Sequence, residues 1–168
     1  MPFIFIGTSG WSYEHWQRVF YPEYLTKTKW LEYYCQYFKT VELNTSFYHL
    51  PKRKTFEDWR ARTGKDFVFS VKGSRYITHI KKLKDCQQPV KKFFERVEAI
   101  EDKDGKTVVL WQLPPRWKLN LERLRKFVNL LPARWRYAFE FREESWLSKE
   151  VFEILGKKGM AVVFQDFE

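Results

Sequence analysis

The chain of 168 residues has little of several residue types whose abundance would define its class. Two cysteines, Cys35 and Cys86, are too few for a disulfide framework, so we expect reduced thiols in a cytoplasmic protein. Seven glycines and seven prolines exclude a collagen-like or low-complexity chain. Uncharged apolar stretches fall far below the roughly 18 residues of a membrane span, and no signal peptide is recognisable. We therefore expect a globular protein with no membrane partner.

Sequence motifs for nucleotide phosphates and for nucleophilic catalysis are missing too. No G-x-G-x-x-G or G-x-x-x-x-G-K-[ST] pattern follows a predicted strand. The glycine-rich stretch Gly7-Thr8-Ser9-Gly10 leads into Trp11 rather than into a helix that carries a lysine. No G-x-S-x-G elbow is present, and the chain has only three histidines. The usual phosphate-binding loops and a serine triad are therefore without support.

Aromatic side chains and positive charge are abundant instead. Phe, Trp and Tyr make up 20% of the residues, and the formal net charge is +10. The positive excess lies in the middle of the chain, because residues 51–100 carry fourteen Lys or Arg and six Asp or Glu. Residues 1–50, in contrast, carry four of each. Such an excess is typical either of solvated outer helices or of a surface that binds phosphates or nucleic acid.

Short β-branched and aromatic runs alternate with helical patterns along the chain. The runs predict six strands, over residues 3–7, 40–44, 67–72, 107–112, 137–142 and 160–166. The helical patterns predict a helix near 28–39 and further helices that begin at a capping box of Thr55 and Asp58, at Pro89, and at caps Asn120 and Ser148. The alternation predicts an α/β fold with parallel strands, either an open doubly wound sheet or a (β/α) barrel.

The predicted strands end in polar side chains on the face where they begin apolar. The polar residues are Glu42 and Asn44, Ser70 and Lys72, Gln112, Glu140 and Arg142, and Asp166. Both candidate architectures bind ligands at the carboxyl ends of their strands, so this pattern predicts a functional site there. The alternative is that these charges only pair with one another, for example Glu140 with Arg142 or with Lys72.

Several motifs occur in a fixed order across the whole chain. They are Gly7-Thr8-Ser9-Gly10-Trp11-Ser12-Tyr13, Phe20-Tyr21-Pro22, Thr40-Val41-Glu42-Leu43-Asn44, Phe69-Ser70-Val71-Lys72, Gln112-Leu113-Pro114-Pro115, and Glu140-Phe141-Arg142 with Ser145-Trp146. Together they resemble the YecE-like family, known as domain of unknown function 72. The resemblance implies a TIM barrel and implies no particular reaction, because the family has no established biochemical function.

This chain departs from the family pattern in two residues and in its length. Arg18 stands where the family usually has a glycine, and Glu143 stands where it usually has a histidine. A complete (β/α)₈ barrel needs about 250 residues, whereas six strand–helix units are recognisable here. We therefore expect residues 1–168 to form a single YecE-like domain, a TIM-type barrel truncated at its C-terminal side. Its unpaired edge strands would favour a homo-oligomer.

The chemistry of the strand ends suits a polar or anionic organic molecule. The candidate catalytic residues are Glu42, Lys72, Glu140, Arg142 and Asp166. The candidate ligand-binding residues are Trp11, Tyr13, Asn44, Tyr48, His79, Gln112 and Trp146. Carboxylates with one histidine could hold Mg²⁺, Mn²⁺ or Zn²⁺, but the neighbouring cations would compete and no H-x-x-x-H or cysteine pair is present, so no metal ligands are assigned.

Two hypotheses about function remain open at this point. The first is an enzyme or small-ligand binder that acts at the mouth formed by the strand ends. The second is a nucleic-acid-binding or processing protein that uses the basic residues between 51 and 100, including Lys52, Arg53, Lys54, Lys81, Lys82, Lys84, Lys91 and Lys92. The sequence identifies neither a cofactor nor a specific reaction.

Overall fold

A computed structural model describes residues 4–101 and 104–166 of the chain. Within those ranges one sheet contains six strands, all parallel, in the same order as in the sequence. They are β1 Gly7–Thr8, β2 Thr40–Leu43, β3 Val68–Lys72, β4 Val108–Gln112, β5 Arg136–Glu140 and β6 Ala161–Val162. In this part of the chain β1 and β6 do not pair, which confirms the predicted α/β fold and its incomplete barrel.

Helices connect successive strands, as the alternating pattern predicted. They are α1 Trp30–Tyr37, α2 Thr45–Tyr48, α3 Arg53–Ala61, α4 Gln87–Val97, α5 Leu121–Leu130 and α6 Lys149–Gly156. A π-helical turn, Tyr76–Ile80, lies between β3 and α4. No helix in the described ranges has the length and apolar character needed to cross a membrane.

Two of the predicted helix caps are present and one is not. The Asn120 side chain accepts a hydrogen bond from the Arg123 N–H, and the Ser148 hydroxyl accepts one from the Val151 N–H. The capping box at Thr55 is wrong, because α3 already begins at Arg53 and the N–H of Thr55 bonds to the backbone carbonyl of Lys52. Ion pairs of Arg53 with acidic side chains stabilise that first turn without an N-cap side chain.

The strands also differ from their predicted limits at both edges of the sheet. The first strand was predicted over residues 3–7, of which Phe3 lies outside the described residues, and β1 is limited to Gly7–Thr8. The last strand was predicted to reach Asp166 but ends at Val162. The alternation of side chains between the two faces of the sheet therefore cannot be used to place residues 163–166.

The hydrophobic core lies between the sheet and the helices that cover one of its faces. Alternate strand residues such as Val41, Phe69 and Trp111 are buried there against helix residues such as Phe93 and Phe127. Each fully buried side chain of this size contributes roughly 1.5–3 kcal/mol of transfer free energy. The opposite face of the sheet carries the polar alternate residues, and it leads to the strand ends.

Close packing at the end of β3 explains a glycine. A Cβ atom at Gly73 would lie 2.2 Å from the Trp111 ring, which is fully buried. Only glycine allows the chain to leave β3 against this ring. The Trp111 indole thereby restricts the path of the backbone directly after Lys72.

An apolar groove of about 940 Å³ follows the edge of the sheet at β6. It is lined by Leu147, Phe152 and Phe164, which are all exposed large hydrophobic side chains, and Phe164 is 97% exposed. An edge strand beside such a surface invites pairing with another chain. The predicted homo-oligomer stays a prediction, with this groove as its structural basis.

Candidate functional site

A cavity of about 780 Å³ opens at the carboxyl ends of β1, β2 and β3. We call it the mouth cavity. The parallel arrangement puts these three strand ends at one edge of the sheet, so residues distant in sequence meet there. Its walls include these residues that the sequence predicted for the site: Trp11, Tyr13, Glu42, Asn44, Tyr48 and Lys72.

A hydrogen-bonded cluster joins the ends of β1 and β2 in this cavity. The Ser9 hydroxyl donates to Glu42 Oε1 at 3.1 Å. Asn44 Nδ2 donates to the Ser9 carbonyl oxygen at 3.2 Å and lies 3.1 Å from its hydroxyl. Glu42 lies in β2 and Asn44 directly follows the end of that strand, and both contact Ser9 beyond the end of β1. The cluster orients the Glu42 carboxylate.

Lys72, at the end of β3, is the cation nearest to that carboxylate. Its Nζ lies 3.9 Å from Glu42 Oε1 and 5.3 Å from the centroid of the Phe47 ring. Its side chain is only 14% exposed. The separation from Glu42 exceeds the roughly 2.7–3.2 Å of a direct hydrogen bond, so the ammonium group retains donor capacity.

Helix α2, which the sequence did not predict, holds Lys72 in place. The hydroxyl of Ser46 donates to the Lys72 carbonyl oxygen at 2.7 Å, and Phe47 lies beneath the ammonium group. Four residues are too few to produce a helical periodicity that sequence inspection would detect. Tyr48 was the one residue of this segment that the sequence predicted for the site.

Aromatic rings form the other walls of the mouth cavity. Trp11 packs edge-on against Trp59, with ring centroids 5.4 Å apart, and the hydroxyl of Tyr13 donates to the Ser9 carbonyl oxygen. Tyr48 is largely exposed at the rim. Sequence reasoning missed Trp59 as a wall residue, because its position on α3 suggested only a core contact.

A second polar cluster lies at the ends of β4 and β5. Gln112 Nε2 donates to Glu140 Oε1 at 2.6 Å, and Arg142 Nε donates to the same oxygen at 2.8 Å. The Glu140 side chain is only 8% exposed. The described lining of the mouth cavity includes none of these three residues, and Glu140 pairs with Arg142 as the alternative hypothesis anticipated.

His79 lies between the two clusters, on the π-helical turn after β3. Its ring packs edge-on against Phe47 at 5.0 Å, and its Nδ1 is 2.9 Å from the Thr78 hydroxyl. Burial lowers its pKa, and the positive charges of Arg75, Arg142 and Lys72 lower it further against the opposing charge of Glu140. The imidazole is therefore neutral at neutral pH.

Two further predicted site residues belong to neither polar cluster. Trp146 is fully buried, its Nε1 donates to the Trp117 carbonyl oxygen at 2.5 Å, and its ring stacks on Phe141. It is a core residue and lines none of the cavities described here. Asp166 is exposed and lies four residues beyond the end of β6, so no strand directs it toward the other carboxylates.

Metal-binding and thiol chemistry have no support in the described part of the chain. There, no group of three or more His, Cys, Asp or Glu side chains could hold a metal ion. Burial raises the pKa of Cys35 to about 11 and that of Cys86 to about 11. Neither thiol is therefore an activated nucleophile at neutral pH.

Comparisons with known proteins agree with this fold. The sequence profile described as "Protein of unknown function DUF72" matches residues 5–168. The chain is 32% identical over 148 residues to UPF0759 protein YecE of Escherichia coli (strain K12), covering 87% of this chain and 51% of that protein. It is 27% identical over 162 residues to UPF0759 protein YunF of Bacillus subtilis, covering 89% and 54% respectively.

Solved structures of the same family superpose on the chain. A DUF72 family protein of Thermotoga maritima has a TM-score of 0.81 and 33% identity, covering 94% of this chain and 63% of that one. A DUF72 family protein of Enterococcus faecalis has a TM-score of 0.67 and 18% identity, covering 94% and 61%. The chain spans about half the length of the curated relatives it matches. With a profile match over almost all its residues, the chain belongs to the DUF72 family.

Proposed function

We propose that the mouth cavity binds a small polar organic molecule that carries an anionic group, and that Lys72 holds this group. The observation that carries the proposal is the position of Lys72, whose side chain is partly buried in a cavity and whose Nζ lies 3.9 Å from Glu42 Oε1. A partly buried cation with unused donors attracts an anionic group more strongly than a fully exposed one does. The ammonium group can therefore donate to the anionic end of a ligand.

The remaining walls suit the uncharged part of such a molecule. Trp11, Tyr13 and Tyr48 offer ring faces and edges for apolar contact, while Asn44 and Ser9 offer short polar groups for orientation. A volume of about 780 Å³ is within the usual range for small-molecule sites. This combination favours a metabolite-sized ligand over a macromolecule.

Glu42 is the group that would act on the bound molecule. Its carboxylate lies beside Lys72 and receives a hydrogen bond from Ser9, so its position is defined before any ligand enters. A carboxylate held next to the anionic end of a ligand can accept a proton from a neighbouring carbon or hydroxyl. If the protein is an enzyme, we infer that Glu42 is the general base and Lys72 the electrostatic partner.

Substitution of Lys72 by methionine tests the proposal. A panel of sugar phosphates, hydroxycarboxylates and matched neutral sugars is measured by titration calorimetry against the full chain. We expect at least one anionic compound to bind, and we expect Lys72→Met to weaken it at least tenfold, or about 1.4 kcal/mol, because the ion pair is lost. Neutral compounds should be unaffected.

The matched control is Lys126→Met, which removes the same charge from an exposed ion pair on α5. It should leave ligand binding unchanged. The proposal fails if no anionic compound binds, or if Lys72→Met and Lys126→Met bind the anionic compounds equally well.

A further inference from the structure

A second groove, of about 640 Å³, lies between helix α4 and the π-helical turn that precedes it. We call it the α4 groove. Its described lining residues include Tyr76 on one side and Lys91, Lys92 and Arg96 on the other, and it shares none of them with the mouth cavity. It therefore represents a surface separate from the site proposed above.

The α4 groove is positively charged and its charge is not neutralised. Glu95 is the single carboxylate among its described lining residues. Lys91 and Lys92 are exposed and form no ion pair with any residue that the structure describes. Arg53 on α3 and Arg62 just after it differ from these lysines, because each of the two arginines pairs with two carboxylates. The groove therefore carries part of the positive excess of residues 51–100.

Arg96 is fixed in the groove without loss of its charge. Its Nη1 donates to the carbonyl oxygens of Leu50 at 2.9 Å and of Pro51 at 3.2 Å. Neutral carbonyl groups orient a guanidinium group but do not cancel its charge. The arginine is therefore already positioned for an anionic partner, which lowers the entropy cost of binding.

Tyr76 adds an aromatic surface to this positive charge. Tyr76 is 53% exposed, and Lys81 Nζ lies 6.0 Å from the centroid of its ring. It stands on a π-helical turn, a rare backbone form that often occurs at functional sites. An exposed ring in a groove that also carries cations is suited to single-stranded nucleic acid, because a base stacks on the ring and phosphates contact the cations.

The loop that follows Tyr76 presents further lysines to solvent. Lys82 and Lys84 are exposed, while Leu83 between them is buried and anchors the loop. Lys82 and Leu83 have positive φ angles of 46° and 60°, a conformation that non-glycine residues rarely adopt. The buried leucine holds this unfavourable backbone in place and extends the basic surface beyond the groove.

We propose that the α4 groove binds single-stranded nucleic acid, with phosphates at Lys91, Lys92 and Arg96 and a base stacked on Tyr76. An acidic peptide could pair with the cations, but acidic residues carry no aromatic ring that would stack on Tyr76, whereas every nucleotide carries a base. The proposal gives the nucleic-acid hypothesis a defined location, and it does not depend on ligand binding in the mouth cavity.

The test uses fluorescein-labelled twelve-residue oligo(dT) and oligo(U), with fluorescence anisotropy at about 50 mM and about 200 mM salt. We expect the unmodified chain to bind and its affinity to fall steeply as salt rises. The double variant K91Q/K92Q should bind more weakly and lower the slope of log K against log salt by about 1.4, because each phosphate that a lysine neutralises adds about 0.7 to that slope. Tyr76→Ala should weaken binding about tenfold, because the base no longer stacks on a ring.

The matched control is K157Q/K158Q, which removes the same charge from two exposed lysines at the end of α6. It should leave both the affinity and the salt slope close to those of the unmodified chain. All these side chains are exposed, so circular dichroism should show unchanged folding.

Four results would overturn the proposal. They are no binding at about 50 mM salt, equal weakening in the two double variants, an unaffected affinity in Tyr76→Ala, and competition by polyglutamate as effective as that by unlabelled oligo(dT). The last of these results would instead indicate an acidic protein partner.

Discussion

The polar side chains at the strand ends have different partners in the two halves of the sheet. At β2 and β3, Glu42 and Lys72 lie 3.9 Å apart and border a cavity. At β4 and β5, Gln112 and Arg142 both donate hydrogen bonds, at 2.6 and 2.8 Å, to one oxygen of Glu140. The first pair retains capacity for a ligand, whereas the second cluster satisfies its own buried carboxylate.

This difference separates function from stability among residues that look equivalent in the sequence. A buried carboxylate must find donors within the protein, because an unsatisfied buried acceptor is costly. A partly exposed pair contributes little to stability and can exchange its partner for a ligand. We infer that Glu42 and Lys72 belong to the site, while Glu140 and Gln112 mainly stabilise the sheet.

The largest effect expected from this comparison is on stability. Glu140→Ala leaves the buried amide of Gln112 without its acceptor, so the free energy of unfolding should fall by about 2 kcal/mol. Glu42→Ala breaks a long, partly exposed ion pair and the hydrogen bond from the exposed Ser9 hydroxyl, which can bond to water instead, so it should cost less than about 1 kcal/mol. Urea unfolding of both variants measures the difference. Equal decreases would show that the two clusters do not differ.

A smaller effect is expected at the apolar groove beside β6. If the chain self-associates there, Phe152→Ser should raise the dissociation constant of the oligomer about tenfold, which corresponds to about 1.4 kcal/mol. The reason is that the variant buries less apolar surface in the interface. Sedimentation across a concentration series gives this constant. Val19→Ser removes an exposed apolar side chain elsewhere and serves as the control. A monomer at every concentration would refute the predicted homo-oligomer.

The smallest effect is a pH dependence at the boundary between the halves. Because the pKa of His79 is lowered in the folded protein, the unfolded chain binds a proton at pH values where the folded chain does not. Stability from this residue is complete above the ordinary pKa of about 6.5 and is lost as the pH falls below it. His79→Gln should therefore flatten the fall in unfolding free energy between about pH 7 and about pH 5.5.

The substitution of an exposed histidine provides the comparison for that measurement. His15→Gln, which removes an exposed imidazole, is measured in parallel as the control. An identical slope in the His79 variant and the unmodified chain would contradict the described environment of the imidazole.

Much of the fold was predictable because it depends on local patterns. The β-branched run correctly predicted β2 with Glu42 near its end, and the short polar side chains of Asn120 and Ser148 correctly marked the starts of α5 and α6. These signals depend on neighbours in the sequence, which a single chain displays directly. The parallel sheet followed from the same alternation of strands and helices.

What was not predictable depends on contacts between distant segments. Burial of Trp146 arises from packing with Trp117 and Phe141, which no local pattern displays. Arg18, where the resembling family usually has glycine, has a φ of 66°. Its N–H bonds to the Tyr21 carbonyl oxygen at 2.8 Å and its side chain pairs with Glu23, so a local turn tolerates the left-handed conformation.

Trp11 and Trp59, which contact each other edge-on, can report binding in the mouth cavity through their fluorescence. Both indoles border the mouth cavity and are partly exposed, whereas Trp30, Trp111 and Trp146 are fully buried. Indole emission shifts when water around the ring is displaced, so a molecule that enters the cavity would change the signal of Trp11 and Trp59 over the background of the other tryptophans. Occupancy could thus be followed by intrinsic fluorescence, without a label and before any substrate is known.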